Sequence, residues 1–453
     1  MSGWPELRSS RTVRAGHAPG TVITCGVTDT VIADVPVSVV FFFDRVLDDE
    51  VLAAGLSRAL AAVPAFAGRL RTVGDRLEIV CDDAGIPLET YDLDDTLPKA
   101  ISRVTLPNAG FVDHVASNAA RQGGLPLLTV RLTRLADGTC ALGCSFHHSV
   151  GDLASFMLLV RAWSAEVEGV DRPEITTLVD PDAYLDESLP ETDSGRPGFR
   201  LQTPEQAARL TAEIDAAPRA NRTVQVFFGD AEIARLREEA STAACRKLST
   251  NDVLCAHVAT TLRGLDGDTA ESAETRSLAM PVNVRRFLGI DPGVVGNLVS
   301  EIFITSPAGA DTVAVATRIR EAVEDFPRAH LNLRANRAFL ESIGRARLGE
   351  CIPIGFDPDR KTMTITNWSR FGIYDVAFQG ARPVFFSPTS NLQLPWVAWL
   401  VEGFEGRGIL LTVAVPARLA NLLRGPAGRA ALHRSREADD PLPELVTTVR
   451  KLA

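Results

Sequence analysis

The residues best suited to chemistry are two adjacent histidines and an aspartate four positions after the second one, namely His147, His148 and Asp152. A neutral imidazole has a reference pKa of about 6.5, so His148 is a credible general base for taking a proton from a hydroxyl or an amine. The spacing alone leaves two interpretations open, because Asp152 is equally suited to cap a helix and either histidine to lie in a core. A metal site would need further ligands, and none is expected because no other tight cluster is present.

These residues lie where the sequence pattern changes from strand to helix. Residues 140–146 alternate apolar and small side chains with the period of two that a strand requires. From Leu153 to Val167 the large apolar side chains recur every three or four residues, which predicts an amphipathic helix that starts after Asp152. A strand over 127–135 and a turn at 136–138 complete a hairpin, which fixes where His148 points.

The rest of the chain alternates predicted strands and helices, which favours an α/β or α+β fold. Strands are predicted over 35–43, 223–228, 278–284 and 299–304, with a hairpin over 69–81; helices are predicted from 48 to 63, over 108–121, 205–214, 230–240 and 311–326, and from Ser249 or Thr250. Residues 170–220 are rich in Pro, Asp, Glu and Thr and are interpreted as a crossover between domains.

Composition limits the function classes. The chain has 453 residues, 45% of them hydrophobic, and a net charge of −10, which predicts two globular domains and disfavours nucleic acid or an anionic membrane as a partner. Its seven scattered cysteines are expected to be reduced, and the N-terminal residues 1–26 have no apolar signal core, so a cytoplasmic setting is expected. The motifs of serine hydrolases, P-loop NTPases, zinc proteases and Rossmann enzymes do not occur.

The histidine motif has a known counterpart. Residues 147–152, His-His-Ser-Val-Gly-Asp, resemble the H-H-x-x-x-D-G motif of the BAHD acyltransferases, which are CoA-dependent, and of the related condensation domains. Further segments resemble BAHD motifs in the same order along the chain: 64–70 (P-L-A-G-R-L), 249–257 (S-T-x-D-x-L-x-A-H), 282–285 (V-N-x-R), 296–297 (G-N), 366–368 (T-S-W) and 374–384 (Y-x-x-D-F-G-W-G with its following K-P). Condensation domains are less similar to the later segments, so the BAHD branch is preferred.

The resemblance implies a fold and a division of the chain. We expect two similar chloramphenicol-acetyltransferase-like domains, each a mixed sheet with flanking helices, over residues 1–180 and 221–453, with a linker over 181–220. The active-site tunnel would lie between them, and a monomer is expected. Two departures suggest a divergent microbial relative: the glycine of the first motif stands before the aspartate, at Gly151, and residues 377–381 read Ala-Phe-Gln-Gly-Ala where D-F-G-W-G is usual.

The resemblance also implies roles for individual residues. His148 would deprotonate the acceptor, Asp152 would turn away to form a salt bridge with Arg285, and Trp368 with Thr366 would donate to the oxyanion. A plain helix cap for Asp152 and a core position for Trp368 are the structural alternatives. His147 would be structural, since it leaves the strand on the opposite face.

The co-substrate implied is acyl-CoA, with no permanently bound cofactor. Arg246 and Lys247, followed by the helix start at Ser249 and Thr250, place cations beside free backbone N–H groups, as a phosphate requires. A capped, solvated helix end is the alternative. Asn297 would line the channel, by resemblance alone.

The resulting hypothesis is transfer of an acyl group from acyl-CoA to a hydroxyl or amine of a small-molecule acceptor, without a covalent acyl-enzyme. The expected acceptor is a specialised metabolite. Two alternatives stay open at this stage. One is an enzyme that takes its acyl group from a carrier protein, and the other is a noncatalytic descendant that binds a ligand in the same cleft.

Overall fold

The computed structural model describes residues 4–189, 195–267, 275–356, 362–389 and 393–449. In these ranges the strands are β1 Glu6–Val13, β2 Val22–Thr24, β3 Val37–Phe43, β4 Arg69–Val73, β5 Arg76–Val80, β6 Ile86–Leu93, β7 Leu128–Leu135, β8 Cys140–Phe146, β9 Thr176–Thr177, β10 Phe199–Leu201, β11 Asn221–Phe228, β12 Thr275–Asn283, β13 Val294–Val295, β14 Val299–Pro307, β15 Cys351–Pro353, β16 Met363–Asn367, β17 Pro383–Thr389, β18 Val397–Glu402 and β19 Ile409–Pro416. The helices are α1 Val27–Ile32, α2 Asp49–Ala62, α3 Leu97–Arg103, α4 Ser117–Ala120, α5 Leu153–Glu168, α6 Pro181–Ser188, α7 Pro204–Ala220, α8 Asp230–Ala243, α9 Thr250–Asp266, α10 Arg285–Leu288, α11 Thr312–Glu324, α12 Leu333–Ile343, α13 Ala417–Arg424, α14 Pro426–Leu432 and α15 Glu444–Thr448.

Two six-stranded mixed sheets organise the molecule. The first has the order β1-β6-β7-β8-β3-β17, and the second has the order β11-β19-β18-β16-β12-β14. Three small sheets, β2-β5-β4, β10-β15 and β9-β13, lie beside them. The predicted mixture of helices and mixed sheets is confirmed.

The first sheet packs against α2 and α5. The contact between these two helices accounts for a cap, a proline and a glycine in the sequence of α2 and the residues beside it. Asp48 caps α2 by accepting hydrogen bonds from the N–H groups of Glu50 and Val51, and the helix stops before Pro64, as predicted. A Cβ at Gly55 would lie 2.4 Å from Val167 Cγ2 on α5, so only glycine permits this approach of the two helices. The pair holds α5, and with it the histidine turn, firmly on the sheet.

The second sheet uses its two faces differently. Ile302, Ile304, Ile365 and Leu400 belong to a core that also contains apolar residues of α8, α9 and α11. The alternate residues on the same strands, among them Val299 and Glu301, line a cavity instead. Because side chains alternate along a strand, one face is sealed by helices and the other is available to a ligand.

The chain crosses between the two sheets late in its course. Strand β17 belongs to the second half of the sequence but pairs antiparallel with β3 of the first sheet, whereas the next strand, β18, lies in the second sheet. The predicted division at residues 180 and 220 stays a prediction. Part of the predicted linker, residues 190–194, lies outside the described residues.

The prediction of a helix over 108–121 was wrong for most of its length. Only Ser117–Ala120 is helical in the predicted helix 108–121. This stretch lies directly on β8: a Cβ at Gly143 would come within 1.8 Å of the Phe111 carbonyl oxygen. The Val115 N–H donates to Ser145 Oγ of β8 at 3.0 Å, so tertiary contacts override the helical spacing.

The predicted crossover contains more structure than its composition indicated. Helix α6 was not predicted, and α7 continues to Ala220 instead of ending near residue 214. Asp180 caps α6 and Thr203 caps α7, each with a proline in the first turn, so the start signals were present in the sequence. None of the helices in the described ranges has the length and apolar character that crossing a membrane requires. All seven cysteines are free thiols, six of them buried.

Candidate active site

The histidine turn joins β8 to α5. His148–Val150 form a short 3-10 turn, and Gly151 then leads into the helix at a φ of 157°. A Cβ on Gly151 would lie 2.6 Å from the Ser155 Cβ, which explains why glycine stands before the aspartate here. Leu153, at the position where the motif has glycine, is the first residue of α5 and lines the cavity.

Asp152 is a buried charge with a full set of partners. Its Oδ2 lies 2.7 Å from Arg285 Nη1 and its Oδ1 3.1 Å from Nη2, and the two side chains are 6% and 4% exposed. Asp152 Oδ1 also accepts from the Ser155 N–H at 2.9 Å, so the helix cap and the ion pair coexist. The salt bridge that the resemblance implied is therefore present alongside the helix cap.

His148 is oriented by a chain of two further side chains. Its Nδ1 lies 3.1 Å from Asn297 Oδ1. The Asn297 amide nitrogen donates to the His148 carbonyl at 2.8 Å and to Asp29 Oδ1 at 2.9 Å. Because both donors of this amide are used, its oxygen must face the ring and accept a hydrogen from Nδ1. Nε2 is then the nitrogen with a free lone pair, and burial lowers the pKa of His148, which favours the neutral ring.

Asp29 is the part of this chain that sequence reasoning missed. It accepts from the Gly26 N–H at 2.9 Å and from Asn297, and burial raises its pKa to about 7. Nothing near Asp29 in the sequence indicates chemistry, because the partner that gives it a role lies 268 positions away.

His147 is buried and turned the other way. Its Nε2 donates to the Ser117 carbonyl at 3.3 Å, and its Nδ1 accepts from the Ser149 hydroxyl at 2.7 Å. Burial lowers the pKa of His147 to about 4, so the ring is neutral at pH 7. Both nitrogens are engaged, which agrees with the structural place expected for this residue.

A cavity of about 290 Å³ opens beside His148, between the two large sheets. Thr366 and the half-buried Trp368 line it, at the end of β16 and just beyond. Among the described residues, no partner accepts a hydrogen bond from Trp368 Nε1, and its ring lies 6.5 Å from that of Trp399. Trp368 therefore lines the cavity with an N–H donor that has no partner within the described residues.

The chain is similar to known proteins over most of its length. The profile of the Transferase family matches residues 8–419. The chain belongs to this family, the BAHD acyltransferases. It is accordingly an acyltransferase.

Individual relatives agree with this assignment, and solved structures share the fold. Agmatine coumaroyltransferase-1 of Hordeum vulgare is 27% identical over 433 residues, which cover 89% of this chain and 94% of that protein. Rosmarinate synthase of Plectranthus scutellarioides is 24% identical over 402 residues, covering 81% and 82%. The fold is similar to vinorine synthase, with a TM-score of 0.67 at 17% identity over 92% of this chain and 96% of that one. For TRI101 of F. graminearum bound to coenzyme A and T-2 mycotoxin the TM-score is 0.71 at 14% identity over 90% and 98%. The expected microbial origin stays a prediction.

Of the residues proposed to bind coenzyme A in this acyltransferase, Asn297 lines the cavity, whereas Arg246, Lys247, Ser249 and Thr250 are not part of its lining. Arg246 pairs with Glu324 at 2.9 Å and with Glu321 at 3.6 Å, and Ser249 accepts from the Asp252 N–H in a capping box. Lys247 is exposed and has no ion pair within the described residues. The first turn of α9, which contains Thr250, is joined to the cavity wall, because Asn367 donates to Asn251 at 2.8 Å. The helix start therefore lies near the Trp368 side of the cavity.

The segment that replaces D-F-G-W-G packs against α2 and α5, the two helices that lie on the first sheet. Phe378 is fully buried, with its ring 5.0 Å from that of Trp163. Gln379 makes two hydrogen bonds, both of 3.0 Å, to the backbone of Asp48 at the start of α2. This segment holds α2 and α5 together, and none of its residues 377–381 is part of the cavity lining.

Proposed function

We propose that this protein transfers an acyl group from acyl-CoA to a hydroxyl or amine of a small molecule, with His148 as the general base. The observation that carries the proposal is the Asp29–Asn297–His148 chain, which leaves His148 Nε2 free at the wall of the cavity. A base held in one tautomer and one orientation beside a cavity meets the geometric requirement for abstracting a proton.

The reaction then proceeds in two steps, an addition that forms the bond from the acceptor to the acyl carbon and a collapse that breaks the bond from that carbon to sulfur. His148 Nε2 takes the proton as the acceptor oxygen or nitrogen attacks the thioester carbonyl carbon. The tetrahedral oxyanion is stabilised by the Trp368 N–H, supported by the Thr366 hydroxyl. Collapse breaks the C–S bond, and the imidazolium returns its proton to the CoA thiolate. Asn297 accepts from Nδ1–H throughout and keeps the ring in place.

A direct attack, without an acyl-enzyme, is supported by the surroundings of the base. Among the described residues, no serine or cysteine forms a hydrogen bond with His148 Nε2, so no side chain is prepared as a nucleophile. The buried cysteines do not provide one either, because burial raises the pKa of the Cys140, Cys144 and Cys255 thiols.

Turnover tests the base directly. We expect His148→Ala to lower kcat by about 10²–10⁴-fold with p-coumaroyl-CoA or benzoyl-CoA, acyl groups that appear in the names of relatives, and a panel of amines and alcohols analysed by mass spectrometry. His17→Ala is the matched control, since His17 is exposed and outside the cavity. Unchanged turnover of the His148 variant, or an acylated protein mass without acceptor, would contradict the mechanism.

The pH profile gives a second readout. Protonation removes the base, so kcat/KM falls as the pH drops through the His148 pKa. Burial lowers this pKa, and the decline is therefore expected below the ordinary histidine value of about 6.5. A decline centred above that value would contradict the assignment.

A further inference from the structure

Glu301 is a carboxylate inside the reaction cavity whose charge has no opposite partner. It stands on β14, in the row that also contains Val299, and its side chain reaches the cavity. Oε2 accepts from Asn332 Nδ2 at 3.1 Å and from Asn336 Nδ2 at 3.5 Å. Both donors are neutral amides. Burial raises the pKa of Glu301, as expected of a carboxyl group without a nearby cation.

The second carboxylate oxygen of Glu301 is available to a ligand. Within the described residues no group donates to Oε1, and no Lys or Arg nitrogen lies within 4 Å of the carboxylate. The Glu301 side chain also packs closely against Gly198. A Cβ added at Gly198 would lie 2.9 Å from Glu301 Oε2. An oriented acceptor with one free oxygen is what a cationic or N–H-bearing ligand group requires.

The remaining charges of the cavity favour a cation. Asp29 and Asp182 face each other over Gly26, where an added Cβ would lie 2.7 Å from Asp182 Oδ1 and 3.2 Å from Asp29 Oδ2. Neither forms a salt bridge with another described residue. The two arginines of the lining share one carboxylate, since Arg337 lies 2.7 Å and Arg334 3.7 Å from Asp186. Besides Asp152, which pairs with Arg285, the lining has four carboxylates, those of Asp29, Asp182, Asp186 and Glu301, and they outnumber the two arginines. The field inside the cavity is therefore negative.

The sheet sets the distance between Glu301 and the reaction centre. Glu301 pairs with Pro281 of β12, and β16, which carries Thr366, is the strand on the other side of β12. Two strand spacings separate the carboxylate from the Thr366 side by roughly 10 Å. A ligand that reaches both must carry its cation several bonds from the atom that is acylated.

We propose that Glu301 binds a cationic group of the acceptor, so that the preferred substrates are amines or alcohols with a second, positively charged amino or guanidino group at their far end. This rests on the proposed acyl transfer, and it adds the class of acceptor. The attacking amine or hydroxyl lies at His148, and the remote cation pairs with Glu301 across the second sheet.

The first test is binding without acyl-CoA, by calorimetry with 1,4-diaminobutane and with butane-1,4-diol as the uncharged analogue. We expect the diamine to bind at least about tenfold more tightly than the diol, and Glu301→Gln to weaken diamine binding about tenfold while leaving diol binding within about twofold. Asp75→Asn is the matched control, because it removes the same charge from an exposed hairpin outside the cavity. Equal binding of diamine and diol would overturn the proposal whether or not the protein turns over.

The second test compares acceptors with one attacking amine and different far ends, using p-coumaroyl-CoA. We expect kcat/KM to fall from 1,4-diaminobutane to butylamine to 4-aminobutanoate, and Glu301→Gln to remove the preference for the diamine. A preference for 4-aminobutanoate would instead assign the site to an anionic acceptor read by Arg334 or Arg337. Diamine binding that depends on Glu301, together with no turnover of any acceptor, would sink the acyl-transfer proposal and leave the cation site standing.

Discussion

Two carboxylates of the cavity lining, the buried Asp152 and the half-buried Glu301, differ in their partners. Asp152 is bound by the two terminal nitrogens of the Arg285 guanidinium and by two backbone N–H groups, those of Ser155 and Leu298. Glu301 has two neutral amides on one oxygen and none on the other among the described residues. A buried polar group normally finds its partners within the fold. The contrast therefore separates a charge that stabilises the protein from one that is open to a substrate.

Two tryptophans, Trp163 and Trp368, also differ in whether their hydrogen-bond donor has a partner within the fold. Trp163 is buried and its Nε1 donates to the Leu52 carbonyl at 2.8 Å, which ties α5 to α2. Trp368 is half-buried on the cavity wall, and within the described residues its Nε1 has no acceptor. We infer that hydrogen-bond satisfaction, more than residue type, divides the structural groups of this site from the functional ones.

The largest expected effect comes from breaking the satisfied ion pair. Arg285→Met leaves Asp152 buried without its countercharge, so we expect the free energy of unfolding to fall by about 3–5 kcal/mol in chemical denaturation. Glu301→Gln keeps the shape of its side chain and both amide contacts, and is expected to change this free energy by less than about 1 kcal/mol.

A double variant tests whether the loss of stability comes from the unpaired charge of Asp152. Asp152→Asn together with Arg285→Met removes both charges and should recover part of the lost stability, giving a favourable coupling in a double-mutant cycle. If Arg285→Met and Glu301→Gln destabilise the protein equally, the distinction between the two carboxylates is wrong.

The sequence predicted the elements around His148 because each has strong periodicity. The strand 140–146 and the helix after Asp152 were found within one residue of their observed bounds. The prediction of a helix over 108–121 was wrong because this stretch packs on β8 near Gly143, and that packing overrides its helical spacing of apolar residues. The Asp152–Arg285 pair came only from the resemblance, since residues 133 positions apart give no local signal.

Glu301 had a sequence signal that was not used. It is a charged residue on one face of a predicted strand whose other face is apolar, and such a face is either solvated or part of a site. Asp29 had no comparable signal. Asp29 and Glu301 become part of one site only when α1 and the second sheet come together around the cavity.

The tryptophan contrast predicts a smaller effect, on rate instead of stability. Trp368→Phe keeps an aromatic ring but removes the N–H donor, and we expect kcat to fall about 10²-fold with little change in unfolding. In the matched Trp163→Phe variant the Leu52 carbonyl loses its donor, so stability should fall by about 1–3 kcal/mol while kcat of the folded protein is retained. A Trp368 variant with unchanged kcat would remove the oxyanion role.

The smallest expected effect concerns two adjacent cations at the start of α9. Arg246 is occupied by Glu321 and Glu324, whereas exposed Lys247 has no ion pair within the described residues. If the unpaired group is the one that binds a CoA phosphate, Lys247→Ala raises the KM for acyl-CoA up to about fivefold, because exposed charge pairs contribute about 0.2–1 kcal/mol. Arg246→Ala should raise it less, since that guanidinium must first leave its carboxylates. The two KM values, measured at low and at 0.5 M salt, decide between them. A larger effect of Arg246→Ala would mean that its carboxylate partners release it when CoA binds, and that pairing in the free protein does not predict function at this end of the site.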